Sequence, residues 1–350
     1  MKKMFSNRLK IVVSILLVVS AFSCSKDEIN LNDLNDTFFV RHKNADMPVH
    51  VHGNGAEKVF LIILHGGPGG NGLGYRINNI RTEIEKNNAV VYFDQRGSGN
   101  SQGNYSEEDV SVELMAEDVL ALTKIIRDRY GDDSKLFLMG HSWGGFLGPT
   151  VLLKNQTEFL GWIDVDGYHD PIGTYEAYKT ILTNSANEQI ALGNSIEYWE
   201  NVLNQVQNIG PDYSTENHLK LNGITNTVDP VLTEDNIINE LKFDLGDDIS
   251  QSNGLIDTWN MRNIGRILDY KKRFNELSLT DRLPEITIPS LVLWGKYDHA
   301  VPLLYAHDAF DNLGSIDKEI FIFERSGHNP MNTEPELFAD KVIEFINSHK

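Results

Sequence analysis

The stretch Gly140-His141-Ser142-Trp143-Gly144-Gly145 limits what this chain can fold into more than any other part of it. A compact apolar run at 136–139 precedes it and predicts a strand, and apolar residues at helical spacing over 146–152 follow it. Gly-x-Ser-x-Gly between a strand and a helix is typical of a nucleophile elbow, a strained turn that exposes the serine hydroxyl. The motif also occurs in ordinary glycine-rich turns, so a catalytic Ser142 needs partners elsewhere in the chain.

A second glycine-rich stretch follows the continuously apolar run 59–64, which predicts a strand buried on both faces of a mostly parallel sheet. Its sequence is His65-Gly66-Gly67-Pro68-Gly69-Gly70. In proteins with the elbow, an amide from the loop after the third strand and the amide that follows the serine form an oxyanion hole. We therefore expect the backbone amides of Gly67 and Trp143 to bind a substrate carbonyl oxygen, with Gly66 as the alternative to Gly67.

Two later strands end in an acid and a base. The apolar strand at 291–294 runs into Gly295-Lys296-Tyr297-Asp298-His299, and His328 lies just after the last predicted strand. The order Ser142, Asp298, His328 along the chain is the one that accompanies this elbow. We expect His328 to accept the serine proton as general base, while Asp298 holds the imidazole in the productive tautomer.

Other polar residues have alternative or supporting roles. Asp166, at the end of the strand predicted at 161–166, is the alternative acid, whereas His299 lies on the wrong side of the last strand to be the base. Asp94 and Arg96 end a further predicted strand, and we expect them to brace the loops around the oxyanion hole.

Three motifs occur in order along the chain: His-Gly-Gly-Pro-Gly at 65–69, Asp-Gln-Arg-Gly-Ser-Gly at 94–99 and Gly-His-Ser-Trp-Gly-Gly at 140–145. Together they make the chain resemble the proline iminopeptidase branch of the α/β-hydrolase fold over residues 36–167 and 286–350. The resemblance implies an α/β fold with a mostly parallel sheet flanked by helices. It also implies a helical cap at 168–285, inserted after the sixth strand. Pro149, in the helix after the elbow, departs from the family pattern and is expected to kink that helix.

The predicted cap carries nine basic and 19 acidic residues over 168–285. The family that the chain resembles uses cap glutamates to hold the free amino terminus of its substrate. Trp199-Glu200 resembles the Trp-Glu pair of those caps, and Glu216-Asn217-His218 resembles a second acidic motif, at a shorter separation than in the family. The resemblance thus implies Glu200 and Glu216 as substrate-binding residues, although a solvated acidic surface explains most acids of the cap.

The N-terminus is typical of a bacterial signal peptide, with four basic residues before an apolar run of 12 residues at 11–22. That run is too short to span a bilayer comfortably. Ala21-Phe22-Ser23-Cys24 resembles a lipobox, which implies a signal peptide at 1–23, lipidation of Cys24 and a flexible tether over 24–35. Ser25-Lys26-Asp27-Glu28 resembles a surface-export signal, so we expect a lipid-anchored protein of the cell envelope, in the outer membrane or on the surface of a Gram-negative bacterium. An ordinary secretory signal or a short anchor helix is the alternative.

Charge and composition exclude several classes of partner. The formal net charge is −19, and loss of residues 1–23, which carry four basic and no acidic residues, makes it −23. Such a surface repels phosphate backbones, which argues against nucleic-acid binding. His50 and His52 share one face of a predicted strand, but no cysteine or carboxylate cluster accompanies them, so we expect neither a metal nor a cofactor. Nothing in the sequence implies a protein partner.

Together these features predict a serine hydrolase that cleaves an amide or ester bond through an acyl-enzyme on Ser142. The resemblance favours an aminopeptidase that acts on short peptides with a free N-terminus, proline first. A carboxylesterase is the alternative among enzymes. A surface binding protein that has kept the fold without catalysis is the alternative of another class. The intact serine, acid, histidine and oxyanion loop argue against the binding protein, since binding needs none of them.

Overall fold

The computed structural model describes residues 29–103, 105, 108–210, 214–244, 254–272, 274 and 277–350. The predicted signal peptide, Cys24 and the first part of the predicted tether lie outside these ranges. Within them, no helix combines the length and the apolar character that a membrane crossing requires.

One sheet of nine strands organises the described part of the chain, in the order β1-β2-β4-β3-β6-β7-β8-β9, with the short β5 paired to β2. The strands are β1 (Leu34–His42), β2 (Ala45–Gly53), β3 (Val59–Leu64), β4 (Ala89–Phe93), β5 (Gln102–Gly103), β6 (Lys135–His141), β7 (Gly161–Val165), β8 (Ser290–Gly295) and β9 (Lys318–Phe323). Pairing is antiparallel from β1 to β2 and from β2 to β4, and parallel from β4 through β9. The carboxyl ends of six parallel strands therefore meet at one edge of the sheet.

Helices cover both faces of the sheet, which explains the continuously apolar central strands. They are α1 (Glu85–Asn87), α2 (Val112–Tyr130), α3 (Gly144–Asn155), α4 (Pro171–Leu192), α5 (Ile196–Gln207), α6 (Thr215–Thr225), α7 (Val228–Glu234), α8 (Gly254–Lys272), α9 (Leu304–Asn312), α10 (Pro330–Thr333) and α11 (Pro335–His349). On one face, Leu61 shares an apolar cluster with Ile84 and with Phe338 of α11. On the other face, Phe60 stacks on Tyr130 of α2, with ring centroids 5.0 Å apart.

The segment between β7 and β8 is helical, from α4 to α8, followed by a short 3-10 helix at Thr280–Glu285. It contains an apolar cluster separate from that of the sheet, in which Tyr178, Trp199, Leu221 and Val228 are all buried. The Tyr178 hydroxyl donates to the carbonyl oxygen of Ala300 at 2.8 Å, which links these helices to the loop after β8.

The mostly parallel sheet flanked by helices confirms the predicted fold class. The Ser111 hydroxyl caps the first turn of α2 by accepting from the Leu114 amide at 3.2 Å. Two details differ from the sequence-based expectation. β1 begins at Leu34, two residues before the predicted start of the core, and the two-residue β5 was not predicted. Pro149, the residue expected to kink the helix after the elbow, lies inside α3.

Candidate active site

Ser142 lies at the sharp turn between β6 and α3, and its φ of 55° is the left-handed conformation that an elbow requires. The turn brings backbone segments very close together. A Cβ atom on Gly140 would lie 2.2 Å from the Gly144 carbonyl oxygen, and one on Gly144 would lie 2.1 Å from the Leu64 carbonyl oxygen. Both positions therefore exclude any side chain, which is the physical reason for the Gly-x-Ser-x-Gly spacing.

The structure brings together the three residues predicted as a triad. Ser142 Oγ lies 2.9 Å from His328 Nε2, and His328 Nδ1 lies 2.7 Å from Asp298 Oδ2. A carboxylate only accepts, so the Nδ1 proton is donated to Asp298 and Nε2 is left to accept the serine proton. Asp298 is held by two further bonds, from the Ala300 and Val301 amides to its Oδ1 at 2.8 and 2.9 Å. This is the arrangement in which a histidine can activate a serine.

The pKa of His328 is raised above its ordinary value despite burial. Burial alone would lower this pKa, because it disfavours the imidazolium. The negative charge and hydrogen bond of Asp298, together with the charge of Asp229, oppose burial and outweigh it. The imidazolium that forms when Ser142 loses its proton is therefore stabilised in place.

Asp166, the alternative acid, occupies a different environment from Asp298. Its Oδ1 accepts from the Gly295 amide at 2.8 Å, and its pKa is raised well above the usual range by burial and by the charge of Asp298. The carboxyl of Asp166 therefore favours the neutral form more strongly than an exposed aspartate does. Asp166, His141 and His328 also place ligand-type atoms within 4.8 Å of one another. Both nitrogens of each histidine already bond to protein atoms, so the cluster is built for hydrogen bonding.

The two amides predicted for the oxyanion hole are available. Among the described residues, neither the Gly67 amide nor the Trp143 amide donates a hydrogen bond to a protein acceptor. Gly67 has a φ of 135°, a conformation that strongly favours glycine. The Gly66 amide, in contrast, donates to the Tyr75 hydroxyl at 2.8 Å, which makes Gly66 the poorer candidate of the two.

Gln95 connects the loop after β4 with both parts of the oxyanion hole. Its Oε1 accepts from Trp143 Nε1 at 2.8 Å, and its Nε2 donates to the His65 carbonyl oxygen at 3.0 Å. The backbone amide of Gln95 donates to His65 Nε2 at 3.2 Å, while His65 Nδ1 donates to the Gly66 carbonyl oxygen. Burial lowers the pKa of His65 to about 4, so the ring stays neutral and keeps this pattern. Sequence reasoning singled out the neighbours of Gln95 but not Gln95 itself.

Asp94 and Arg96 occupy bracing positions. Asp94 accepts from the Gly72 amide at 2.7 Å and from the Asn100 amide at 2.8 Å, which ties two loops together. Arg96 is fully buried and makes a bidentate pair with Asp118 at 2.7 and 2.9 Å. Arg96 also donates to the carbonyl oxygens of residues 42 and 43, so it holds the β1–β2 turn.

The positions of Glu200 and Glu216 differ from the predicted substrate-binding role. Both lie exposed on the inserted helices, and Glu216 forms an ion pair with Lys220 at 2.6 Å. The reason is helical geometry: successive residues of a helix point about 100° apart, so burial of Trp199 turns Glu200 outward. Within the described residues, no hydrogen bond or ion pair joins either glutamate to the triad.

The carboxylate that the inserted helices do bring to the triad is Asp229, in the first turn of α7. Its Oδ2 accepts from the His328 amide at 3.2 Å. A Cβ atom on Gly327 would lie 2.4 Å from both carboxylate oxygens, so Gly327 is what allows this approach. Burial and the charge of Asp298 raise the pKa of Asp229 to about 6, against the lowering effect of His328. No sequence motif predicted this position for Asp229.

His299 is buried away from the serine, as its position in the chain predicted. Its Nε2 bonds to Ser185 Oγ at 2.9 Å and its Nδ1 donates to the Tyr297 carbonyl oxygen at 2.8 Å. The ring therefore connects α4 to the loop that carries Asp298 and takes no part in the triad.

Comparison with known proteins agrees with this geometry. Residues 58–171 match the family model described as serine aminopeptidase, S33. A probable aminopeptidase, YbaC, of Bacillus subtilis (strain 168) is 26% identical over 317 residues, which are 87% of this chain and 94% of that protein. A proline iminopeptidase of Thermoplasma volcanium is 24% identical over 303 residues, 84% of this chain and 90% of that protein.

Among solved structures, the proline iminopeptidase-related protein of Thermus thermophilus superposes with a TM-score of 0.60 at 20% identity, covering 90% of this chain and 98% of that one. At that identity the superposition is evidence for the fold. The chain therefore has the α/β-hydrolase fold, carries a serine, a histidine and an aspartate in the geometry that serine hydrolases use, and is similar at low sequence identity to aminopeptidases and proline iminopeptidases.

Proposed function

We propose that the protein is an aminopeptidase of the proline iminopeptidase type, which removes the first residue, preferably proline, from short peptides. The observation that carries this proposal is a cap carboxylate, Asp229, that accepts from the amide of His328, the residue whose ring bonds to Ser142. The triad alone serves amide and ester substrates. A partly buried carboxylate next to the triad histidine suits a substrate with a free ammonium group.

The geometry performs the reaction in two halves. Ser142 Oγ attacks the scissile carbonyl carbon as its proton passes to His328 Nε2, and the oxyanion that forms lies against the Gly67 and Trp143 amides. The carbon–nitrogen bond then breaks, the leaving amine takes the proton from His328, and an acyl-enzyme remains on Ser142. Water, deprotonated by His328, attacks the acyl carbon, and the serine regains its proton as the product acid leaves.

Asp229 is the residue proposed to hold the substrate ammonium, in place of Glu200 and Glu216. One of its oxygens is used by the His328 amide. Its other oxygen, Oδ1, accepts no hydrogen bond among the described residues and is free for a cation. An ammonium so close to the triad would belong to the same residue as the scissile carbonyl. An enzyme that binds its substrate in this way removes one N-terminal residue at a time.

The test compares three substrates with Asp229→Asn, which keeps the acceptor for the His328 amide and removes the charge. We expect kcat/KM for proline p-nitroanilide to fall roughly 30- to 1000-fold, as when one partner of a buried charge pair is removed. Wild-type activity on N-acetylproline p-nitroanilide should already be low, because it presents no ammonium. Activity on p-nitrophenyl acetate should fall far less in the variant than activity on proline p-nitroanilide, because only the effect of Asp229 on the His328 imidazolium remains.

Glu200→Gln is the matched control, since it neutralises an exposed acid of the same helices and should leave all three rates unchanged. Equal rates of wild type and Asp229→Asn on the free and acetylated proline substrates would contradict the amine-binding role. High ester activity with no anilide activity would identify a carboxylesterase. A wild-type protein that no fluorophosphonate labels would instead be a binding protein on this fold.

We also propose that Cys24 anchors the protein to the cell envelope through lipid, on the support of the signal-peptide anatomy and the resemblance to a lipobox. A bacterium that expresses the full chain should incorporate labelled palmitate into it, and Cys24→Ala should abolish the label. Equal labelling of the two proteins would overturn the proposal.

A further inference from the structure

Tyr75, which no sequence motif marks, connects the oxyanion loop to the loop that carries His328. It ends a short 3-10 helix at Leu73–Tyr75. Its hydroxyl oxygen lies 2.8 Å from the Gly66 amide nitrogen and 2.5 Å from His141 Nδ1. His141 Nε2 lies 2.8 Å from the His328 carbonyl oxygen. Three hydrogen bonds in series thus join the loop after β3 to the loop after β9, through the residue that precedes Ser142.

The direction of each bond in this series is determined by the groups at its ends. The His328 carbonyl can only accept, so His141 carries its proton on Nε2. Burial, followed by the nearby charge of His328, lowers the pKa of His141 to about 3, so the ring is neutral and Nδ1 is an acceptor. The Tyr75 hydroxyl therefore donates to Nδ1 and accepts from the Gly66 amide. Burial raises the pKa of Tyr75, so the hydroxyl keeps its proton.

The series lies against the nucleophile with little free space around it. A Cβ atom on Gly66 would lie 3.1 Å from the Tyr75 hydroxyl, 3.3 Å from Ser142 Cβ and 3.4 Å from His141 Nδ1. The His141 ring packs on the His328 ring with centroids 4.9 Å apart, and the Tyr75 ring meets His141 edge-on at 5.7 Å. A shift of either loop would break a hydrogen bond or cause a collision.

We propose that Tyr75 and His141 are positioning residues, whose hydrogen-bonded bridge fixes the Gly66–Gly67 segment and the backbone of His328 relative to Ser142. The bridge uses the Gly66 amide, which leaves the next amide, that of Gly67, for the substrate oxygen. It holds the backbone of His328, whereas Asp298 holds its ring. The proposal rests on serine hydrolysis at Ser142 and is independent of the preference for a free amino terminus.

The first test is Tyr75→Phe, assayed with p-nitrophenyl acetate, a substrate without an amine. The variant keeps the ring and leaves the Gly66 amide and His141 Nδ1 unpaired. We expect kcat to fall roughly 10- to 100-fold with KM within about threefold, the size of effect that a displacement of about 1 Å produces. Fluorophosphonate labelling of Ser142 should slow by a similar factor, with no change in the melting temperature large enough to unfold the protein at 25 °C.

Tyr130→Phe is the matched control, because it removes a hydroxyl that bonds to Asp36 at 2.7 Å, on β1. It should leave kcat unchanged. A Tyr75→Phe enzyme with kcat within about threefold of wild type would overturn the proposal, since that is less than misplacement of the reacting groups should cost.

A pair of variants at His141 tests the bridge if Tyr75→Phe does not fold. His141→Gln keeps one acceptor for the Tyr75 hydroxyl and one donor for the His328 carbonyl, whereas His141→Met has neither. The Gln enzyme should retain most of the wild-type kcat and the Met enzyme should lose it. Equal kcat values for the two variants would overturn the proposal. A wild-type enzyme that hydrolyses p-nitrophenyl acetate but not proline p-nitroanilide would count against the proposed aminopeptidase function and leave the bridge untouched.

Discussion

Two carboxyl groups lie side by side at the triad, and their hydrogen bonds decide which one serves it. Asp298 receives three hydrogen bonds, two from amides and one from His328. Asp166 receives one, from the Gly295 amide, and has no cationic partner among the described residues. Burial and repulsion from Asp298 therefore raise the pKa of Asp166 well above its usual range, so its carboxyl favours the neutral form.

This difference predicts unequal effects of the same substitution. Asp298→Asn should lower kcat roughly 10⁴-fold, because an amide stabilises the wrong tautomer of His328 and carries no charge. Asp166→Asn should cost less than about tenfold, because an amide resembles the neutral acid it replaces and still accepts from the Gly295 amide. Steady-state kinetics on p-nitrophenyl acetate would measure both. A larger loss in Asp166→Asn than in Asp298→Asn would make Asp166 the triad acid.

At the scale of strands and helices, the elements that carry the triad were predictable because their constraints are local. The two glycines of the elbow, the apolar run before it and the order of the strand ends each depend on a few neighbouring residues. Parallel pairing then brings those ends to one edge of the sheet, so Asp298 and His328 meet Ser142 although they are far apart along the chain.

The inserted helices and the loop side chains were less predictable, because their contacts depend on distant packing. Glu200 matched a family motif by sequence, yet burial of Trp199 turns it to solvent. Asp229 reaches His328 because α7 docks on Gly327. Asp229 lies almost a hundred positions before these two residues, and no periodicity of the sequence predicts such a contact.

At the scale of the whole molecule, the sheet and the inserted helices each supply a carboxylate that raises the pKa of His328. Asp298 comes from the loop after β8, and Asp229 comes from α7, yet both raise the pKa of His328. The formal charge of −19 adds a diffuse negative background, which salt screens more strongly than it screens these two close and partly buried carboxylates. The pH dependence of activity therefore reports how closely α7 lies against the triad.

The effect of Asp229 on His328 predicts the direction in which the pH profile moves when Asp229 is neutralised. His328 must be neutral to act as base, so kcat/KM for p-nitrophenyl acetate should fall as the pH drops through its raised pKa, above the usual 6.5 of an imidazole. Asp229→Asn removes one of the charges that raise this pKa. The acidic limb of the profile should therefore move to lower pH. Glu216→Gln, which neutralises an exposed acid paired with Lys220, should leave the limb in place. A limb that moves to higher pH in Asp229→Asn, or that moves equally in both variants, would mean that α7 does not hold Asp229 against His328 in the working enzyme.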